Sequence, residues 1–488
     1  MRQVRRVVVA GGGTAGWLAA AALVRQLSPL IEVVLIESDA IGTVGVGEST
    51  IPTIRTFHDF IGVDEDAFVR ATGATFKLGI SFEHWLREGA RYFHAFGSVG
   101  RSMFVADFQH FWLEARRQGF GGAYGDYSAE LRAAAEGRFS TDPAAGLAYA
   151  YHLDATAYAA FLRGHAEAAG ARRIEGRIVA VDRDGETGDL RALRLASGAV
   201  IDGDFFIDCT GFRALLIEDA LTTGYDDWSH WLPTDTALAV QTDSVGPPMP
   251  YTRAIAHCAG WRWRIPLQHR VGNGIVFSSR DMTEEEARAT LLDGIEGTPL
   301  FDPRPIRFTT GMRKRAWHRN CLALGLASGF IEPLESTSIH LVMIAVTRFV
   351  QSFPFAGDDG ALADRFNART RAEWEHVRDF VILHYHLNDR AEPFWRRMAA
   401  MEVPDTLAAR IALFREQAAA FQDQDQIFRI DSWVQVMLGQ GLEPRDYHHL
   451  ARMLPAQDLQ RALGGLDAGI RHRLQTVPSH ADFLRRFA

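Results

Sequence analysis

Gly11, Gly13 and Gly16 stand at the spacing that brings a backbone turn close to a pyrophosphate. The first glycine permits the tight turn, the second the close approach, and the third the packing of a helix on a strand. Thr14 and Ala15 lie within this turn, where a helix N-terminus offers free N–H groups and the positive end of its dipole. Glu37 follows at the distance where an acid can hold ribose hydroxyls. Lys77 sits in an apolar run, Thr75-Phe76-Lys77-Leu78-Gly79-Ile80. Desolvation there favours the neutral amine, although such a lysine can also bury its stem and carry its head to water. Glu335 precedes an apolar helical stretch. It can handle a proton or stabilise a cation, or serve as the acid at a helix start. His384-x-His386 and His448-His449 lack a third ligand at usual spacing, so no metal is expected. Asp423-x-Asp425 reads as a solvated turn. Cys209, Cys258 and Cys321 lie far apart, which excludes a redox dithiol or cysteine metal site and suits a reducing cytoplasm.

These groups need elements to hold them. Residues 4–10 read as a buried parallel strand, 17–27 as a helix and 31–37 as the next strand, together a βαβ unit. Residues 7–24 are uncharged, but glycines break the run, so a membrane span is not expected. Residues 41–54 read as a long ordered loop. Short strands are expected over 174–208, antiparallel strands over 235–280, and helices from 339 onward. With 488 residues, 47% hydrophobic and 23% charged, the chain has room for two or three domains of ordinary soluble composition. Its net charge of −8 argues against a general nucleic-acid binder.

Two more segments bear on the nucleotide. Asp208-Cys-Thr-Gly211 follows an apolar strand and resembles the second fingerprint of two-dinucleotide-fold flavoproteins. Gly325-Leu-Ala-Ser-Gly-Phe-Ile-Glu-Pro333 resembles the flavin-contacting segment of aromatic hydroxylases, with Leu326 where an aspartate usually stands. Each alone also reads as a plain strand-to-turn junction; in this order they favour FAD. The fold class expected is therefore α/β, a two-dinucleotide-binding-fold flavoprotein with an aromatic-hydroxylase-like FAD module and a C-terminal helical layer. Residues 1–340 would form the module, with antiparallel substrate regions interleaved over about 60–165 and 225–310; residues 341–488 would form the helical layer. No second G-x-G-x-x-G follows a strand, which points to a separate reductase as the source of reduced flavin.

Five segments, in order, resemble the flavin-dependent tryptophan halogenases: residues 11–17 (GGGTAGW), 44–52 (VGVGESTIP), 75–80 (TFKLGI), 261–266 (WRWRIP) and 332–337 (EPLEST). The resemblance implies that reduced FAD, O2 and a chloride or bromide ion give hypohalous acid, which travels through a tunnel to a small aromatic substrate. It implies Lys77 and Glu335 as the catalytic pair, and Thr337 and Ser338 as the halide site, the latter where the family usually has glycine. Trp261, Trp263, Ile265, Pro266 and Ser336 would line the tunnel, and His94 and Phe96 would stack on the indole. Gly47, Ser49, Ile178, Asp208, Leu326 and Ile339 would join the glycine loop around FAD. Other readings stay open: Trp261 and Trp263 can be one buried face of a strand, and His94 and Phe96 can be loop residues.

The resemblance stops short of the family's tryptophan anchor, a C-terminal stretch of Tyr, Glu and Phe-Trp. Here the region reads 428–441 (FRIDSWVQVMLGQG), then Pro444 and Tyr447-His-His449; Phe394-Trp395 lacks the tyrosine-glutamate context. Indole without the amino-acid tail, or a larger indole or phenol, is as well matched as tryptophan. A flavin hydroxylase and a non-catalytic FAD-binding sensor are the competing readings. A cytoplasmic enzyme is expected, with no nucleic-acid or membrane partner, and compatible with a homodimer.

Overall fold

Val7, Val8 and Val9 are fully buried on both faces of the strand Arg6–Ala10, as a parallel strand covered on two sides requires. The computed structural model describes residues 3–40, 47–103, 105–357, 360–424 and 426–487. It divides into two compact units, Met1–Ala74 with Leu153–Asp235 and Ile306–Glu375, and Thr75–His152 with Thr236–Pro305 and His376–Ala488. Neither unit border falls at residue 340. The C-terminal helices are shared out: Ser338–Gln351 belongs to the first unit, and Pro393–Ala400, Asp405–Gln417, Ile430–Gly439 and Ala456–Leu474 to the second.

In the first unit Arg6–Ala10 is flanked in parallel by Glu32–Glu37 and Phe205–Asp208, with Val7 opposite Val33 and Phe205. Arg172–Glu175 and Cys321–Ala323 extend this sheet, also in parallel, and Trp317–His318 adds an antiparallel edge. The helix Thr14–Leu27 starts earlier than expected, at the glycine turn itself. Its Ala19–Ala22 run is buried, and such small side chains let it pack closely on the helices Ala155–Ala168 and Ser338–Gln351. An antiparallel meander, Ile178–Arg183, Leu190–Leu195 and Val200–Asp202, covers one side of the core. The expected loop over 41–54 is cut short: Gly47–Ser49 is a strand and a helix begins at Thr53. Residues 41–46 lie outside the described residues.

The second unit is built on a seven-stranded sheet. From the edge strand Arg91–Ala95 it runs through Gly79–Glu83, Thr252–His257, Gly260–Pro266, Arg270–Phe277 and Thr236–Asp243 to the other edge, Arg304–Arg307. The pairs are antiparallel, as the alternation over 235–280 predicts, except that Thr252–His257 runs parallel to Gly79–Glu83. A separate short strand, Thr75–Lys77, pairs with Ala150–Asp154 so that Lys77 faces Ala150. No helix among the described residues is long and apolar enough to cross a membrane.

Candidate active site

In the first unit the glycine turn is a surface of backbone. Gly11 has φ +107°, and a Cβ there would lie 2.2 Å from the Cys209 carbonyl oxygen. A Cβ on Gly16 would lie 1.9 Å from the Gly11 carbonyl oxygen, whereas one on Gly13 would meet nothing within 4 Å. The turn is therefore closed behind and open in front. The helix that follows has no side-chain cap and no acid in its first turn, so its N–H groups and dipole face that open side. This cradle fits a pyrophosphate, and with it FAD.

The Glu37 carboxylate accepts from the Trp17 indole (3.2 Å) and from Arg173 (2.5 Å), which holds its orientation. The Gly325–Ala327 turn, with Leu326 half-buried, meets Ala15: a Cβ on Gly325 would lie 2.8 Å from the Ala15 Cβ. Ile178 packs on the cluster that contains Ile36 and Leu195. The Asp208 carboxylate is fully buried and hydrogen-bonded within the chain. One oxygen accepts from the Thr210 N–H and hydroxyl, the other from the N–H groups of Leu216 and Ile217. These bonds shape the turn that follows its strand. Gly47 and Ser49 bracket Glu48, whose carboxyl burial pushes up to about 7.

The chain from Glu332 to Ile339 bends sharply. Ser336 has φ +60°, and Thr337 begins the helix Ser338–Gln351 without capping it. Glu335, Ser336, Thr337 and Ile339 are buried, and Ser338 is half-buried. The Thr337 hydroxyl is buried and has no hydrogen-bond partner among the described residues. A buried, uncapped helix start with a spare O–H donor suits an anion. The Thr337 side chain itself makes no capping bond at this helix start.

Two groups in this unit escaped the sequence reading. Thr53 hydrogen-bonds His340 (2.9 Å), and His340 bonds Glu373 (3.2 Å), which pairs with Arg348 (2.5 Å). His340 stands two residues past Ser338, and that proximity was the only local signal. Glu48 belongs to the segment 44–52, but nothing in the sequence marks its carboxyl as desolvated.

The second unit carries the lysine. Lys77 is wholly buried, which removes the reading of a head reaching solvent. Its Nζ lies 5.2 Å from the centre of the Phe96 ring. Its strand is held from both sides. The Thr75 hydroxyl donates to the Pro266 carbonyl (2.6 Å) and meets His152 Nδ1 (3.0 Å), while His152 Nε2 meets Thr252 (2.9 Å). The Phe76 N–H donates to His480 Nε2 (3.2 Å), whose Nδ1 reaches the Pro248 carbonyl. Burial, with Lys77 nearby, pushes His152 well below the usual histidine range, so it acts as a neutral relay of hydrogen bonds. Thr75 thereby ties the lysine strand to the last residue of the W-x-W-x-I-P segment.

Trp261 and Trp263 lie on one face of Gly260–Pro266, with Arg262 and Arg264 on the other. Their rings are 6.0 Å apart. Gly274 opposes Trp263, and a Cβ there would sit 2.0 Å from the indole, so the glycine is what lets the ring lie over the sheet. The Trp261 indole N–H is buried with no partner among the described residues. Ile265 and Pro266 are buried as well. His94 is a strand residue, not a loop residue, and its ring packs near Phe380 and Phe428.

The remaining candidates are structural. His384 hydrogen-bonds the Tyr92 hydroxyl (2.6 Å) and stacks on Phe82. His449 pairs with Asp446, and Trp395 donates to the His257 carbonyl. Asp423 accepts from Gln426, and Asp425 lies outside the described residues. The described residues hold no cluster of potential metal ligands.

Residues 6–456 match the tryptophan halogenase family. A tryptophan 7-halogenase from Lentzea aerocolonigenes is 33% identical over 99% of both chains. Among solved structures, a flavin-dependent halogenase from Xanthomonas campestris is 52% identical with a TM-score of 0.98, covering 100% of this chain and 99% of that one. Another, from Brevundimonas sp. BAL3, is 41% identical with a TM-score of 0.96 and covers 99% of both chains.

Proposed function

The chain belongs to the tryptophan halogenase family, flavin-dependent oxidoreductases that use FAD and a halide, and on that footing we propose how its residues divide the work. The substrate is an electron-rich, indole-like ring, and Lys77 is the residue at which the oxidant is held. Reduced flavin, when bound, supplies the two electrons and two protons that, with one further proton, turn O2 and a halide into hypohalous acid and water. A separate reductase would provide that reduced flavin.

The observation that carries this reading is the burial of Lys77 on a strand hydrogen-bonded to the W-x-W-x-I-P segment. Away from water, Nζ can hold a small oxidant without losing it to hydrolysis. As an ammonium it donates a hydrogen bond to the hypohalous oxygen and makes the halogen more electrophilic. As an amine it takes the halogen and releases water. In either form the halogen passes to a ring carbon, and that carbon gives up its proton. Glu335 is the carboxylate suited to stabilise the cationic ring and accept the proton. The helix start at Thr337 and Ser338 is suited to the halide, chloride or bromide. Trp261 and Trp263 would wall the oxidant's path, and Phe96 would offer a face to the ring. The setting would be the cytoplasm.

Supplying FAD, a flavin reductase, NADH, O2 and bromide with a panel of indoles tests the reading. Products with the bromine isotope doublet are expected. Products heavier by one oxygen would replace it with a hydroxylase.

A further inference from the structure

The strand Arg91–Ala95 is an outer edge of the seven-stranded sheet, and it leads directly into Phe96. Such an edge carries a row of N–H and C=O groups that need partners. Phe96 sends its N–H inward, to the carbonyl of Leu78, the neighbour of Lys77 (2.9 Å). Ala95, opposite Gly79, turns its own N–H and C=O outward, since alternate residues of an antiparallel strand bond to opposite sides. One side chain meets both groups. The Gln435 carboxamide oxygen accepts from the Ala95 N–H (3.0 Å), and its nitrogen donates to the Ala95 carbonyl (3.2 Å). Gln435 is buried, so water does not compete for either bond.

Gln435 is the middle of a stripe. Asp431, Gln435 and Gly439 follow at four-residue spacing along the helix Ile430–Gly439 and share one face. They meet the edge strand in reverse order. Asp431 accepts from the Val99 N–H (2.9 Å), Gln435 takes Ala95, and a Cβ on Gly439 would lie 2.5 Å from the Tyr92 ring. The helix therefore runs antiparallel to the strand and stands where the next strand of the sheet would be. It brackets Phe96, with one anchor at Ala95 and another at Val99. Between them the chain turns at Gly97, which has φ +76°. A side chain beside a glycine turn at a sheet edge keeps its place only if the backbone on both sides is held. The Phe96 side chain is the one that lies 5.2 Å from Lys77 Nζ.

We propose that Gln435 is a positioning residue: through its two bonds to Ala95 it fixes the Phe96 ring beside Lys77, and so sets how an indole ring lies. The inference rests on the proposed function only in taking Phe96 as the face that meets the substrate. A small displacement of such a wall is costly, because reacting atoms must be held close to their final geometry.

A double-mutant cycle with Phe96 tests this. Gln435→Met keeps the length and burial of the side chain but forms neither bond, and Phe96→Ala removes the wall. The readouts are the Kd of indole by titration calorimetry, and the KM for indole and for bromide in bromination with the reductase system. Gln435→Met is expected to raise the Kd and KM for indole about tenfold, the worth of one or two hydrogen bonds, with the bromide KM within about twofold of wild type. In the Phe96→Ala background the same substitution is expected to change the indole Kd by less than about twofold, because the residue it acts through is gone. A merely structural role would give the same fold-change in both backgrounds. Gln435→Glu, which still accepts from the Ala95 N–H but loses the donor as a carboxylate, is expected to fall between wild type and Gln435→Met, and it carries the same cycle where circular dichroism shows Gln435→Met unfolded. Equal fold-changes in the two backgrounds, or an indole Kd unchanged by Gln435→Met, overturn the proposal. If indole is brominated but the cycle is additive, Gln435 loses its role and the halogenase reading stands. If indole binds with the expected coupling but is not brominated, the role of Gln435 stands and the halogenase reading falls. Indole that neither binds nor reacts overturns both.

Discussion

In the first unit the positions that matter are glycines and open helix ends; in the second they are buried side chains on strands. Gly11, Gly13 and Gly16 act by lacking a side chain, and the helix starts at Thr14 and Ser338 act through peptide N–H groups. Lys77, Trp261, Trp263 and Phe96 act through what their side chains carry, and strand register places them. A backbone cradle recognises a phosphate, which every flavin of its class shares. In the proposed function, the buried side chains of the second unit would decide what is done to the substrate. Binding and chemistry are therefore separable by mutation.

Lys77→Ala should show the separation most strongly. Turnover of indole is expected to fall about a thousandfold or more, in the upper range for a positioned catalytic group, while flavin affinity from fluorescence quenching stays within about twofold. A parallel loss of flavin binding would mean the two units are not independent in function. The reciprocal variant is Gly16→Val. With a Cβ only 1.9 Å from a carbonyl oxygen, flavin affinity should drop about a hundredfold through the loss of phosphate contacts. Its circular dichroism should stay close to wild type. Tight flavin binding in this variant would remove the cradle from the account.

A smaller effect separates the units by pH. Folded Glu130 keeps its proton up to about 7, whereas the unfolded carboxyl loses it near the ordinary value of about 4.3. Stability from this group is therefore full below the unfolded value and is lost as pH rises through the folded one. Glu130→Gln has no such loss. Its stability relative to wild type should rise between pH 5 and pH 8, by about 2 kcal/mol, measured by urea melts. A flat difference would show that Glu130 is ionised throughout. The mildest test is Thr337→Val, which removes a buried hydroxyl with no partner. The KM for bromide should rise about tenfold, the worth of one hydrogen bond to a charge, and the KM for indole should not change. An unchanged bromide KM would move the halide elsewhere.

Some of this could be read from the chain alone because it depends on residues close in sequence. The G-x-G-x-x-G turn, its strand and helix, and the alternation of Trp-Arg-Trp-Arg all report local backbone periodicity. The first helix still started earlier, at Thr14, and a helix from Thr53 was not foreseen, because glycine and proline mark a turn without saying where the first helical bond closes. Side-chain roles were ambiguous wherever one residue type serves two environments. Lys77 could be snorkelling or buried, and Glu335 could cap a helix or serve a site. Those choices depend on residues far away in sequence. His152 and Pro266 meet Thr75, and Leu216 and Ile217 both donate to one oxygen of Asp208. Sequence determined which groups were present and which backbone turns could form, since those follow from residue type and short-range sterics. Only the tertiary structure decided which groups lost their water and which kept a free valence, because desolvation is a property of everything packed around them.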